Sequence, residues 1–307
     1  MKCSYLRKGK FMRNRGLRSN YLLLHFIVFI WGWTAVLGKI ITVPAIKLVW
    51  IRVFIAIFGM LVYVLYKKSS LRISRNSLLQ FLGVGLIVGV HWVCFYGAVK
   101  ESNVSVTLAC FSTGTLFTAF IEPFFFKRRI VWYELLFGLV VIAALFMIFN
   151  VETKYKLGML LGVGAALTSS FMAVLNGLLI KKGHDAGVMS LYEMIGCSAC
   201  LTVFLFATEP IDGTLLNISS MNWIYICILA ICCTTVPFII GVQILKNISP
   251  YTVSLTLNLE TIYGILFAYF IFRDSEVMSI TFYVGAAIIL STIFANAALK
   301  RYLGNSG

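Results

Sequence analysis

The chain is short of charged residues, and of acidic residues above all. Only 12% of its 307 residues are charged, 11 of them Asp or Glu, whereas soluble domains carry about a quarter. Five Pro and a mean hydropathy of +0.94 exclude a disordered or collagen-like chain. Hydrophobic residues make up 60%, more than a soluble core of this size can bury. The composition therefore predicts a polytopic membrane protein.

Side chains that bind metals or act as catalytic bases are also scarce or scattered. There are three His, and of the eight Cys all but Cys3 lie in apolar runs. Cys197 and Cys200 fall in a stretch of small residues, which is typical of close helix packing. The chain has no phosphate-binding loop, zinc-protease motif or serine-hydrolase motif. We therefore expect no metal, no cofactor and no ATP chemistry.

Basic residues outnumber acidic ones by 26 to 11, which gives a formal net charge of +15. Such an excess can indicate a polyanionic partner. Here, however, the basic side chains lie before the first apolar run and in short gaps between later runs, where they set orientation in a bilayer. We expect a lipid bilayer as partner and no nucleic acid.

Apolar runs of about 20 residues, long enough to cross a membrane as helices, fill most of the chain. The sequence predicts an all-α integral membrane protein with ten transmembrane helices and no extramembrane domain. The predicted spans are 20–41, 45–66, 77–98, 103–125, 131–150, 156–180, 187–207, 221–244, 250–272 and 277–299. The predicted division is a basic cytoplasmic segment 1–19, a first five-helix repeat 20–150, a second 151–299 and a cytoplasmic tail 300–307.

The distribution of Lys and Arg predicts the orientation. Ten spans place both termini on one side of the membrane. If that side is the cytoplasm, 19 Lys and Arg fall in inner segments and five in outer loops, which is a clear positive-inside pattern. We predict a protein of the cytoplasmic membrane with its N- and C-termini both in the cytoplasm.

The two halves of the chain match weakly when one is shifted by 146 residues. The shift brings Trp92 onto Phe238 and Thr115 onto Thr261. Each half holds five spans, an odd number, so the second half enters the membrane from the opposite face. Such inverted repeats are common in secondary carriers, whose substrate site lies near the midplane between the halves.

Several stretches together carry a family resemblance that covers residues 20–299. They are Trp31-Gly32 followed by Lys39, Trp50-Ile-Arg52-Val-Phe54, the block from Thr115 to Arg129, the block from Leu259 to Asp274, and Gly285 in the last span. In these stretches the chain resembles the EamA family of the drug/metabolite transporter superfamily. The resemblance implies ten spans in two inverted halves, alternating access, and efflux of metabolites such as amino acids or of toxic compounds.

The leading functional hypothesis is a secondary active exporter of small metabolites, with amino acids or related compounds as candidate substrates. Its central cavity would lie between the two repeats, and the substrate gradient or protons would supply the energy. A polytopic membrane enzyme or a channel is the alternative, although neither a catalytic motif nor a ring of like charges is visible. The oligomeric state is left open.

Ionisable residues inside spans are the first candidates for the site, because each costs about 2.5–3.5 kcal/mol at the centre of a helix in lipid. Glu260, beside Asn258, is either a substrate or proton site or a buried contact between helices. Arg52 either binds a substrate carboxylate through its planar fork or locks helices together, with Glu193 as a candidate partner.

The remaining candidates also have two interpretations. His91 is either a proton relay or a hydrogen bonder between helices, and Lys39 either binds substrate or extends its amine to the interface. Trp31, Tyr96 and Tyr263 either line an aromatic cavity suited to planar or weakly polar substrates or belong to interfacial belts.

The orientation is testable with single-cysteine tags. We expect cysteines introduced at both ends of a variant lacking the native Cys to react with a membrane-impermeant maleimide only after the cells are permeabilised. A cysteine placed in the loop after residue 41 is the control and should react in intact cells. Labelling of one terminus in intact cells would contradict the ten-span topology.

Overall fold

A computed structural model describes residues 2–127, 129, 132–208 and 216–304, and every regular element in these ranges is helical. The all-α prediction is thus confirmed. The helices are α1 Lys2–Ile40, α2 Ala45–Tyr66, α3 Arg75–Glu101, α4 Val104–Phe111, α5 Gly114–Phe126, α6 Trp132–Val151, α7 Lys156–Lys181, α8 Ala186–Thr208, α9 Ser220–Ala230, α10 Val236–Ile244, α11 Pro250–Phe272 and α12 Ile280–Gly304.

Eight stretches of the described chain are long and apolar enough to cross a membrane. They are Ser19–Ile40, Ala45–Tyr66, Arg75–Glu101, Val104–Phe126, Thr153–Lys181, Ala186–Ala207, Ser220–Ile244 and Pro250–Glu276. The other two predicted spans, 131–150 and 277–299, correspond to α6 and α12, whose apolar parts Leu136–Val151 and Ile280–Asn296 are shorter; residue 131 lies outside the described ranges. The membrane class is confirmed, and ten spans remain a prediction.

The fourth span is broken between α4 and α5, at Ser112 and Thr113. The Ser112 hydroxyl donates to the carbonyl oxygen of Ala109 at 2.6 Å, and the Thr113 hydroxyl donates to that of Cys110 at 2.7 Å. Unpaired backbone groups are costly where water is excluded. The two hydroxyls therefore make an interruption of the helix tolerable at this depth.

The eighth span is also irregular, with a π-helical segment, Ile231–Thr235, between α9 and α10. Pro237 lies two residues after its end and has no N–H to donate to the carbonyl of Cys233, four residues earlier. That carbonyl instead accepts a hydrogen bond from the indole nitrogen of Trp31 at 3.2 Å. The proline thus creates a binding point for α1 on the eighth span.

Helices of the two halves pack against each other, since α1 contacts α11, α2 contacts α8, and α3 contacts both α7 and α8. The α3–α8 crossing is especially close. A Cβ atom on Gly85 would collide with the carbonyl oxygen of Glu193, and one on Gly196 would lie 2.6 Å from that of Leu82. Glycine is required at both positions because backbone faces backbone.

Two hydrogen bonds between the fourth span and α11 are related to each other by the shift of 146 residues. Thr115 donates to the carbonyl oxygen of Ser254 at 3.0 Å, and Thr261 donates to that of Leu108 at 3.1 Å. The shift carries Thr115 onto Thr261 and Leu108 onto Ser254, so the contact is reciprocal, as in a two-fold interface. The pairing also requires the two spans to run antiparallel.

The close crossing at Gly85 gives a stability prediction. Gly85→Ala should lower the free energy of unfolding by at least about 1–3 kcal/mol, because an overpacked backbone contact must open. Gly83→Ala on the same helix meets no atom within 4 Å and should be neutral or stabilise by about 0.5–1 kcal/mol. Thermal unfolding in detergent compares the two, and equal effects would contradict the close α3–α8 packing.

Candidate functional site

A cavity lies between the two halves of the chain, with about 540 Å³ of empty space including any part that opens to solvent. Residues of α1, α2, α3, α4, α7, the π-helical segment, α10 and α11 line it. They are Trp31, Thr34, Arg52, His91, Trp92, Phe95, Tyr96, Phe111, Ser169, Met172, Cys233, Thr234, Phe238, Leu257 and Glu260. Both interrupted spans border this cavity, through Phe111 before one break and through Cys233 and Thr234 at the other.

Arg52 supplies the positive charge of the cavity and is 2% exposed. Its Nε donates to the Thr234 hydroxyl and its Nη1 to the Tyr96 hydroxyl, both at 2.6 Å. The guanidinium carbon lies 4.1 Å from the centre of the Trp92 ring, a cation–π geometry. An arginine has five N–H donors, and these bonds leave Nη2 for a further acceptor.

Glu260 supplies the acidic side chain of the cavity, from the middle of α11, and is 5% exposed. Within the described part of the chain its carboxylate has no hydrogen-bond partner. Arg52 and Glu260 line one cavity yet form no ion pair with each other; an ion pair elsewhere in the structure joins Lys39 to Glu276. The cavity therefore presents a basic and an acidic side chain that do not bind each other directly.

His91 borders the same cavity and also connects two helices. Its Nδ1 lies 2.9 Å from the carbonyl oxygen of Ala165 on α7. Because a carbonyl only accepts, Nδ1 carries the proton, which fixes the orientation of the ring. His91 is therefore a hydrogen bonder between helices, and its other ring nitrogen is not engaged by this contact.

The remaining walls of the cavity are largely aromatic. Trp92 and Phe238, which the shift of 146 residues makes equivalent, face each other with ring centres 6.0 Å apart. Phe95 and Phe111 pack edge to face at 5.4 Å. A ligand with an apolar body and two charged groups matches this combination of surfaces.

Of the nine predicted site residues, five line this cavity: Arg52, Glu260, His91, Trp31 and Tyr96. Asn258 instead lines a smaller neighbouring pocket that shares Phe111, Ser169 and Leu257 with the cavity. Its amide donates to the Thr115 hydroxyl at 2.7 Å.

The other three predicted residues lie elsewhere. Lys39 pairs with Glu276 at 2.7 Å near the end of α1. Tyr263 packs its ring against Phe29 at 5.4 Å, in the contact between α11 and α1. Glu193 is fully buried.

The pairing of Glu193 with Arg52 is not found. Asn176 of α7 donates its amide to Glu193 Oε2 at 3.2 Å, whereas Arg52 binds hydroxyl groups of α3 and of the π-helical segment. The two charged residues lie on neighbouring helices but use different neighbours. Inspection of the sequence could not resolve this, because the direction of each side chain depends on tertiary packing.

Sequence reasoning did not name Thr34, Trp92, Ser169 and Thr234 as site residues. Thr234 holds Arg52, and its only signal was its position three residues before Pro237. Trp92 had a stronger signal, since it is next to His91 and four residues before Tyr96 on the same helix face.

Comparison with known proteins gives the family. A family model described as EamA-like transporter family matches the chain twice, over residues 18–150 and 156–297. The chain belongs to the EamA-like transporter family. No curated protein sequence matches it. A solved structure described only as "Crystal structure of protein" shares the fold, with 15% identity, a TM-score of 0.68, and coverage of 92% of this chain and 99% of the other.

Membership of the EamA-like transporter family agrees with the location of the cavity. The two matched segments contribute lining residues to the same space, Trp31 to Phe111 from the first and Ser169 to Glu260 from the second. In membrane carriers the substrate site lies between such halves. The cavity is therefore the candidate substrate site of this EamA-like transporter.

The contact between Thr234 and Arg52 generates the next prediction. Thr234→Val should lower the free energy of unfolding by about 1–3 kcal/mol, because a buried charged donor loses its acceptor. Thr235→Val is the matched control, since the Thr235 hydroxyl bonds only the carbonyl of Ala230 within the same span. Thermal unfolding of both variants in detergent tests this prediction. A larger loss of stability in Thr235→Val than in Thr234→Val would contradict the role of Thr234 in holding Arg52.

Proposed function

We propose that this EamA-like transporter is a secondary active exporter of amino acids or related zwitterions. The observation that carries the proposal is that a basic and an acidic side chain, Arg52 and Glu260, line one aromatic cavity without forming an ion pair. A buried charge without a partner is costly. A zwitterion satisfies both groups at once, whereas a simple cation or anion satisfies only one.

Each group has a defined role in this proposal. Arg52 receives the substrate carboxylate, because its free Nη2 extends from a guanidinium already held by Thr234 and Tyr96. Glu260 receives the substrate ammonium group. Trp92 and Phe238 contact the apolar side chain, so a large apolar amino acid fits better than a small one.

Two glutamates at opposite ends of α11 are candidate gates for alternating access. Glu276 follows the end of α11, pairs with Lys39, and accepts hydrogen bonds from the backbone N–H and hydroxyl of Ser105. At the other end, Glu122 accepts a hydrogen bond from the backbone N–H of Tyr251 at 2.8 Å. Breaking one contact while keeping the other opens the cavity to one side only.

The charge distribution supports an orientation for the two gates, and the missing motifs support an energy source. With both termini in the cytoplasm, the Lys39–Glu276 contact faces outward and the Glu122–Tyr251 contact faces the cytoplasm. The sequence holds no phosphate-binding loop. Export is therefore driven by the substrate gradient or by protons.

Counterflow in proteoliposomes tests the proposal. Wild-type protein should exchange labelled leucine, and unlabelled leucine should compete better than isoamylamine, which lacks the carboxylate, or 4-methylpentanoate, which lacks the amine. Glu260→Gln should raise the concentration of unlabelled leucine needed for half-maximal competition about tenfold to a hundredfold. This is the change in affinity expected when a hydrogen bond to a charged group, about 1.5–3 kcal/mol, is lost. Competition by 4-methylpentanoate should change little.

Glu101→Gln is the matched control, because Glu101 is an exposed carboxylate at the end of α3. It should behave as wild type. Unsaturable flux would indicate a channel, and consumption of leucine without a sealed compartment would indicate an enzyme. Equal competition by the three compounds would contradict the recognition of a zwitterion.

A further inference from the structure

A second buried carboxylate, outside the substrate cavity, forms a separate polar cluster with two neighbours. Glu193 of α8 is fully buried, and Asn176 of α7 and Ser190 of α8 are at most 2% exposed. The Asn176 amide donates to Glu193 Oε2 at 3.2 Å. Ser190 precedes Glu193 by three residues, so the two share one helix face.

Three oxygen atoms of this cluster have no hydrogen-bond partner within the described residues: Glu193 Oε1, Asn176 Oδ1 and Ser190 Oγ. Native proteins leave few buried polar atoms unpaired, and each is costly. Of these three oxygens only the Ser190 hydroxyl can donate, whereas Glu193 Oε1 and Asn176 Oδ1 can only accept, so the cluster is short of a donor hydrogen or a cation. An ionised carboxylate at such a site costs several kcal/mol.

The charged and titratable groups around the cluster have other partners. On α2, Arg52 binds Thr234 and Tyr96, and on α3, His91 binds the carbonyl oxygen of Ala165. The sequence of α10 contains no ionisable residue. On α7, Lys181 lies over the ring of Phe126. On α8 itself, Tyr192 donates to the carbonyl oxygen of Leu71. Cys197 lies one turn after Glu193 on α8, near Gly89.

We infer that Glu193, together with Asn176 and Ser190, is a proton-binding site distinct from the substrate cavity. A proton on Glu193 Oε1 neutralises the carboxylate and supplies a second donor hydrogen beside that of the Ser190 hydroxyl. A metal cation such as Na⁺ would need several further oxygen ligands, which the described residues of this cluster do not add.

The cluster is also connected to the substrate cavity through two helices. Met172, which lines the cavity, lies one turn before Asn176 on α7. On α3, Gly85 touches the backbone of Glu193, and His91 and Trp92 lie further along the same helix in the cavity wall. A change of charge at Glu193 therefore acts on two helices that shape the substrate site, which suits a coupling proton.

The first test measures protonation directly and does not depend on the substrate. Infrared spectra of purified wild-type protein and Glu193→Gln are compared over a series of pH values. We expect the wild type to show a carbonyl band of a protonated carboxylic acid that is missing from Glu193→Gln and present in the control Glu101→Gln. Identical bands in wild type and Glu193→Gln would overturn the inference.

The second test measures coupling and rests on the proposed function. The rate of leucine export from proteoliposomes is measured with and without an imposed pH gradient. For each variant, the rate with the gradient is divided by the rate without it. The ratio should fall to one in Glu193→Gln and remain as in wild type in Glu101→Gln and in Glu193→Asp, which keeps a carboxyl group. An unchanged ratio in Glu193→Gln would overturn coupling at this site.

The outcomes separate the two proposals. If leucine is not exchanged but the infrared band depends on Glu193, the substrate proposal fails and the proton site stands. If leucine is exchanged but the infrared band is absent, the substrate proposal stands and the proton site fails. The melting temperature is also measured in NaCl and in choline chloride. If NaCl alone raises it, and Glu193→Gln abolishes this rise, the site binds Na⁺ instead of a proton and the inference is overturned.

Discussion

The structure depends on keeping the positive charge of Arg52 inside a membrane protein without a carboxylate beside it. Two hydroxyl groups and one indole ring hold the guanidinium in place of an anion. Hydrogen bonds to a charged group contribute about 1.5–3 kcal/mol each, and a desolvated cation–π contact contributes about 2, which together offset the cost of burial. Because none of these partners is negative, the charge is stabilised but not neutralised, and it remains available to an incoming anion.

The geometry that makes this possible comes from two interrupted helices. The π-helical segment before Pro237 presents Thr234 to Arg52 and a backbone carbonyl to Trp31, which a regular helix would have used internally. The break in the fourth span is bordered by Phe111, which lines the same cavity. Irregular backbone is tolerated at membrane depth only where it is buried in protein or lines a cavity. The reciprocal bonds of Thr115 and Thr261 place the fourth span and α11 on either side of an approximate two-fold axis.

The sequence was sufficient for the membrane class and for the charged part of the site, because the cost of burying a charge makes Arg52 and Glu260 conspicuous in apolar helices. It was insufficient for residues whose role depends on neighbours. Thr234 is an ordinary threonine until a proline shifts the local hydrogen bonding, and Lys39 meets Glu276 through a contact 237 residues apart in sequence. The repeat was detectable because each half holds five apolar runs and landmark residues recur at a shift of 146, among them Trp92 and Phe238, which contact each other in the structure.

Glu260 and Glu193 show why two buried carboxylates in one bundle need not do the same work. Glu260 faces the cavity, so its carboxyl group can be satisfied by whatever occupies that space. Glu193 is sealed between packed helices, beside a glycine contact that leaves no room for a side chain. A sealed carboxylate can be satisfied only by its immediate neighbours or by the smallest cation. Under the two proposals, occupation of one site alters the packing that shapes the other, because the same helices border both, and the two binding events become linked without sharing an atom.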